Sequence, residues 1–485
     1  MTVNQAGSSP HRRLARRRSA TLAAGLALTA TLAALVALLL AASAAGAATN
    51  RVWVRHYAPT AGYDSWDHMA KGRSGTVYVA GTRNLESGKD RMVVAKYTAG
   101  GKRVWLRTFA GKSAAWASAL AVDARGNAFV TGQEHVPGKT YARICLLKLA
   151  NRTGRVQWVR RYHAPGSPSS DFPRCIALGA NGAVYLTGSI MTSGGGWDGL
   201  LIKYADKGSR ATRTWLRTYR YAKAPADDNA DQGYRVVIDG RGRVYWGGTS
   251  ADQTGRTVTF VRRVKVATGR PVWTRRIWTD PTNDLGLVDL AAFPGGGIVL
   301  AARRDNAPGL GTGVFVARYS ERGSKIFGKL IDSADGEVAV DLAVDGAGHI
   351  ALAGYLIKSA NEQSAWVARG DRTFSLPWQS VYDAPQAGDY ASFRSVALGS
   401  GGAVYCGGSA GIGFITGYDF MMVKYSASGV RLWVDAYDDY VNGSGNKSDG
   451  CSAVLYVGGS RPGLYGAGHG GATSDGEAVL IKYKR

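Results

Sequence analysis

Between residues 50 and 485 the chain alternates short apolar runs with clusters of glycine and polar residues, with no helical period between them. One phrase recurs: Gly126-Asn127-Ala128-Phe129-Val130-Thr131-Gly132 returns at 75–81, 182–188 and 402–408. β-Branched and aromatic residues bracketed by glycine read as a turn, a buried strand and a second turn. The closing glycine falls at 81, 132, 188 and 248, is replaced by Ala302, and returns at 354, 408 and 468. The successive spacings are 51, 56, 60, 54, 52, 54 and 60. A period near fifty residues marks a repeat array rather than a string of separate domains. Each unit carries four runs of strand length, which in the second are 118–123, 128–131, 144–149 and 156–162. Four short strands per unit predict an all-β protein built of four-stranded antiparallel propeller blades. A parallel β-helix fits less well, because its coils are shorter and lack hairpin turns between every strand.

An aromatic marks the last run of each unit: Trp105, Trp158, Trp215, Trp273, Phe327, Trp378 and Trp433. These are seven markers for eight closing positions, and the eighth unit stops at Arg485 before any tryptophan. The missing run lies at the other end, where Arg51-Val52-Trp53-Val54-Arg55-His56-Tyr57 resembles 104–109. The pattern therefore predicts an eight-bladed β-propeller whose ring is closed by the N-terminal strand of the mature chain. Closure removes the open sheet edges that a linear array would expose.

The first 48 residues stand outside this pattern. Five arginines at positions 12, 13, 16, 17 and 18 precede an uncharged run from 19 to 50, with small-residue sites such as Ala45-Gly46-Ala47 at its end. This is the layout of a secretory signal peptide with cleavage near Ala47, or of an uncleaved signal anchor. Either puts 49–485, read as one propeller domain, outside the cytoplasm, secreted or associated with the cell envelope. In the anchor case that segment is the only expected membrane attachment.

The net charge is +25, or +20 without those five arginines. The basic residues are dispersed: Lys96, Lys148, Lys203, Arg318, Lys424 and Lys482 each end a similar run. They read as a solvated basic surface or as an attraction to anionic polymers; without a basic cluster, nucleic acid is not expected as a partner. Cys145, Cys175, Cys406 and Cys451 show no metal-ligand spacing. Three pairings are open outside the cell, with Cys406–Cys451 favoured because they sit in consecutive units, and all four also suit small core positions.

The repeats resemble the bacterial secreted β-propeller repeat (SBBP) family. The resemblance rests on an acidic residue opening the inner strand (Asp64, Asp171, Asp231, Glu337), a turn aspartate (Asp123, Asp239, Asp345) and the third-strand pattern at 198–204 and 419–425. It covers about 51–485 and implies fold and export, not a reaction. Thr153-Gly154-Arg155-Val156-Gln157-Trp158 and Thr268-Gly269-Arg270-Pro271-Val272-Trp273 are also similar to the tryptophan-docking motif of quinoprotein (PQQ-type) propellers. There the motif is structural. The cofactor enzymes of that type carry a disulfide of adjacent cysteines, and no two cysteines here are adjacent.

Candidate chemistry is sparse. The seven histidines form no HExxH, and no nucleophile elbow or phosphate loop stands in its required context. The feature that carries a site expectation is the inner-strand carboxylate. Asp64, Asp171, Asp231 and Glu337 each lie eleven residues before a phrase-opening glycine, with Asp284, Asp389 and Asp449 near the equivalent place. At the channel mouth they would bind a divalent cation such as calcium, or offer acceptors to a ligand. Alternatively each caps its own turn. Trp66, Trp116 and Trp197 are candidates for stacking on sugars or for core packing. The resulting expectation is an exported, monomeric binding or scaffold module for an extracellular protein, a glycan or an anionic envelope polymer. The enzyme alternatives are a quinoprotein-like oxidoreductase and a polysaccharide-active propeller.

Overall fold

Thirty-two strands form eight four-stranded antiparallel sheets arranged as the blades of a closed propeller. The computed structural model describes residues 50–485 except 59–62, 86–87, 111–112, 193–195, 222–230, 280–281, 306–311, 334, 360–361, 377, 385–389, 412–416, 438–448 and 472–475. Residues 1–49, which include the expected export segment, and Asp389 therefore lie outside the described residues. Among the described residues no helix is long and apolar enough to cross a membrane.

Each of the first seven blades takes four consecutive strands, innermost first. In blade one these are Asp64–Lys71, Val77–Arg83, Arg91–Tyr97 and Arg103–Phe109. Blade eight takes three from the C-terminus, Gly450–Val457, Gly463–Gly470 and Glu477–Tyr483, and its outer strand from the N-terminus, Arg51–Tyr57. That outer strand pairs antiparallel with Glu477–Tyr483, Trp53 opposite Lys482. The inner strands touch in sequence around the ring, including last to first.

The cores lie between blades. Among the described residues eight apolar clusters form, each joining the facing sides of two neighbouring sheets. This placement explains why the cysteines are all free. Cys406 packs between blades six and seven, whereas Cys451 packs between seven and eight, so the sheet of blade seven separates the favoured pair. Cys145 and Cys175 lie in two further clusters.

The outer-strand aromatic is the joint between blades. Trp105 of blade one covers the turn of blade two, its indole N–H donating to the Asn151 carbonyl at 2.8 Å. Gly154 in that turn has φ +65°, and a Cβ there would lie 2.6 Å from the indole, so the turn needs glycine for both reasons. Trp215 and Trp273 sit likewise over Gly269 and Gly323. Basic side chains complete the joint: Arg107 donates to the Thr153 carbonyl and Lys96 to Asn151. Lys203, Arg263 and Lys482 donate to turn carbonyls of the following blade. Much of the dispersed positive charge is thus fixed in the joints rather than spread over a free surface.

The phrase-closing glycine is not a turn. Gly132 lies inside the strand Ala128–His135, and a Cβ on it would fall 1.8 Å from the Trp116 carbonyl oxygen. The cause is a β-bulge on the facing inner strand, between Ala117 and Ala119, which presses its backbone against the glycine. The same bulge recurs on all eight inner strands, including blade five, where Ala302 replaces glycine. The second strand consequently runs past the position where the sequence pattern ends it.

Candidate functional site at the channel mouth

The bulges decide what faces the channel, because an extra residue re-aims one side chain per inner strand. The bulged residues are Asp67, Ser118, Arg174, Tyr234, Val288, Val340, Arg394 and Ser452. Six of them line two cavities at the mouth. The first, about 490 Å³, spans blades six to eight and includes Val340, Tyr355, Tyr390, Arg394, Tyr418, Asp449 and His469. The second, about 410 Å³, spans blades one to five and includes His68, Ser118, Gln133, Arg174, Tyr234, Arg235 and Val288. Both volumes lie within the roughly 300–1,000 Å³ typical of ligand pockets.

Below the bulges runs a belt of hydrogen bonds. Arg235 Nε donates to Asp289 Oδ1 at 2.5 Å. Asp341 Oδ2 accepts from Ser395 Oγ at 3.0 Å and from the Val396 N–H at 2.8 Å. Ser395 Oγ in turn accepts the Val454 N–H at 3.1 Å. The first pair ties the inner strands of blades four and five, and the Asp341–Ser395–Val454 bonds tie those of blades six to eight, which line the first cavity. Burial, and then the neighbouring Asp289, push the Asp341 carboxyl up to about 7. On the opposite arc the equivalent residues are His68, Ala119 and Cys175. Burial and then Arg235 hold the His68 imidazole down to about 4, so it is neutral at physiological pH.

In the first cavity Arg394 is exposed, its backbone fixed between the fully buried Phe393 and the belt residue Ser395. Tyr390 and Tyr418 meet edge to face with ring centroids 6.5 Å apart. His469, its imidazole brought down to about 4 by burial and then by Arg394, lies 5.3 Å from the Tyr63 ring. Asp449 is buried in the wall. In the second cavity the Arg174 guanidinium lies 5.2 Å from the Tyr234 ring centre. Among the described residues neither Arg174 nor Arg394 forms an ion pair.

The four sequence-selected carboxylates open their inner strands as expected, but inside the wall: Asp64 is 1% exposed, Asp171 0%, Asp231 4% and Glu337 2%. Three of them hold the connection from the preceding blade. Asp171 Oδ2 accepts the Ala164 N–H and pairs with His163 at 2.8 Å. Asp231 accepts the Tyr221 N–H at 2.8 Å, and Glu337 the Ser333 N–H at 3.0 Å. Each donor stands two residues beyond the preceding outer strand. Asp64 differs. The residue two beyond Arg51–Tyr57 in the sequence is Pro59, outside the described residues, and among the described residues both Asp64 oxygens lack a hydrogen-bond partner. Among the described residues no three His, Cys, Asp or Glu side chains gather to hold a metal ion.

Of the aromatic candidates, Trp66 is fully buried. Trp116 donates to Asp90 Oδ2 at 2.8 Å, and Trp197 packs on Phe172. The aromatics of the first cavity are tyrosines that sequence reasoning did not select. Tyr355 and Tyr418 come from strands of blades six and seven and Tyr390 from just before the inner strand of blade seven, and only the bulge register, marked by the closing glycine, points toward them.

The chain matches no protein-family model and no curated protein. Among solved structures it is similar to quinohemoprotein alcohol dehydrogenase from Comamonas testosteroni, with 12% identity over 90% of this chain and 77% of that one, and a TM-score of 0.54. It is also similar to the WD40 domain of SCAP from fission yeast, with 10% identity over 89% of this chain and 98% of that one, and a TM-score of 0.48. At such identity the likeness to the dehydrogenase shows a shared propeller architecture, and nothing about chemistry.

Proposed function

We propose that the chain is an exported binding module whose channel mouth takes an acidic glycan of the cell envelope. The observation that carries this reading is Arg394, exposed in a cavity of about 490 Å³ beside Tyr355, Tyr390 and Tyr418. A guanidinium matches a carboxylate by two parallel hydrogen bonds. Tyrosine rings offer flat apolar faces with a polar edge, which suits the faces and hydroxyls of a sugar. Asp449 in the same wall adds acceptor oxygens for hydroxyls. The belt beneath keeps these groups in place before a ligand arrives, which lowers the ordering cost of binding.

Calorimetric titration with neutral and uronic-acid oligosaccharides tests the reading. Acidic sugars are expected to bind without being cleaved. Arg394→Ala removes a charge-assisted contact worth about 1.5–3 kcal/mol, a loss of roughly tenfold to a hundredfold. Equal binding of neutral and acidic sugars, or an Arg394→Ala variant as tight as the wild type, would overturn it. Release of shorter sugars would move the protein to the polysaccharide-active alternative.

A further inference from the structure

The inner-strand bulge repeats at one register, so its eight residues form a ring around the axis. Only two of them are arginine, Arg174 in blade three and Arg394 in blade seven. Blades three and seven are four apart in a ring of eight, so the two guanidinium groups stand on opposite sides of the axis. The bulged residues between them are Tyr234, Val288 and Val340 on one arc and Ser452, Asp67 and Ser118 on the other. None of these is cationic. Each arginine is exposed, each lines its own cavity, and each has tyrosine beside it: Tyr234 for Arg174, Tyr390 and Tyr418 for Arg394. Both cavities open where the inner strands begin, since Phe172 and Pro173 line one and Ser392, Asp449 and Gly450 the other. They therefore share one face of the ring.

We infer that the ligand is a linear polyanion laid across the axis, with carboxylates at both arginine poles, rather than a single acidic sugar held in one cavity. The inference rests on the acidic-glycan reading and specifies its ligand as a chain. A monomer satisfies one pole. A chain long enough to cross the mouth satisfies both, and its second contact forms at the high effective concentration set by the first. With no cation at the bulged positions between the poles, and with Asp67 of opposite sign on one arc, the span rather than positive charge in general is the feature that is recognised.

The test is a graded series of oligogalacturonates, from the dimer upward, titrated into the wild-type chain and into Arg174→Ala and Arg394→Ala. In wild type the affinity is expected to step up by about 10²-fold or more once the oligomer spans the mouth, within the range linked contacts provide. Arg174→Ala removes the step, with the dimer still bound at the Arg394 pole. Arg394→Ala removes the step and also weakens the dimer. Both side chains are exposed, and unchanged thermal melting verifies that the variants fold. An affinity independent of length, or a step that survives Arg174→Ala, overturns the spanning inference. The single-cavity reading still stands in that case if Arg394→Ala weakens the dimer. If no oligogalacturonate binds, both readings fall.

Discussion

The joint at the seam between blades eight and one and the joint between blades five and six both depart from the common pattern, in opposite ways. At the seam the residues are kept while the two strands that carry them, Arg51–Tyr57 and Glu477–Tyr483 of blade eight, come from opposite ends of the chain. Trp53, from the N-terminal strand, covers Gly101 of blade one and its indole N–H reaches the Ala99 carbonyl at 3.4 Å. Lys482, from the C-terminal strand, donates to the same carbonyl at 2.8 Å. Between blades five and six the chain is continuous while the residues are exchanged. Phe327 stands for the tryptophan, and Phe374, at φ +53°, stands in the turn where other blades place glycine. The two rings stack with an interplanar angle of 10° and centroids 6.2 Å apart. The joint therefore requires a flat ring packed against a turn, not a particular pair of residues. Where the strands of the covering blade are consecutive in the chain, the pair can drift; where they come from opposite ends of it, the full set of donors is retained.

The largest expected effect comes from breaking the seam. Deleting Arg51–Tyr57 uncovers the edge of Glu477–Tyr483 and removes the Trp53 joint. It also leaves Asp435, fully buried and paired with Arg51 at 2.6 Å, without its cation. Stranding a buried charge alone costs about 3–5 kcal/mol, a large part of the roughly 5–15 kcal/mol of a typical domain. The expected outcome is aggregation or a large fall in melting temperature, read by light scattering and calorimetry. A deleted chain that melts and dissolves like the wild type would show that the ring does not depend on its seam.

A smaller effect sharpens the other side of the comparison. Phe374→Gly relieves a left-handed residue, strained by about 1–3 kcal/mol. It also discards a fully buried ring, whose loss costs about 3–5 kcal/mol. Net destabilisation of roughly 2 kcal/mol follows. Phe327→Trp alone forces an indole against Phe374 and destabilises as well. The double variant restores the pattern of the other joints and recovers stability, with a coupling of about 0.5–3 kcal/mol in a denaturation cycle. Additive losses would show that the two phenylalanines changed independently.

These joints also show what the sequence carries. The blade count, the four strands per blade and the seam strand are all legible, because each follows from period and alternation along the chain. The turn aspartates are legible too: Asp123 accepts the N–H groups of Arg125 and Asn127, both at 2.8 Å, as a turn-capping carboxylate should. The closing glycine is visible but reads as a turn, because its cause is a bulge on another strand and pairing is not written in one strand alone. The channel mouth is hidden for the same reason. Arg174 and Arg394 look like ordinary dispersed charges until the bulge register sets them opposite each other. Trp66 looks available for sugars until the neighbouring sheet covers it.

The smallest effect concerns the start of blade one, where the carboxylate that opens the inner strand lacks the backbone N–H its counterparts accept. Asp171 accepts a backbone N–H and faces His163, and burial brings its carboxyl to about 6. Asp64, whose oxygens find no hydrogen-bond partner among the described residues, is brought by burial to about 7 although Arg83 opposes the shift. A carboxyl whose folded value is raised favours the native state in its protonated form. That stability is fully present below the unfolded value near 4 and is lost as pH rises through about 7. The wild type should therefore melt at a lower temperature at pH 8 than at pH 5. Asp64→Asn, neutral at both, should flatten the difference by about 2 kcal/mol or less. The matching Asp171→Asn variant should flatten it less, because its loss also removes the partner of His163. If Asp64→Asn leaves the pH dependence of melting unchanged, Asp64 is ionised in the folded protein at neutral pH, and its missing hydrogen-bond partner carries no pH dependence.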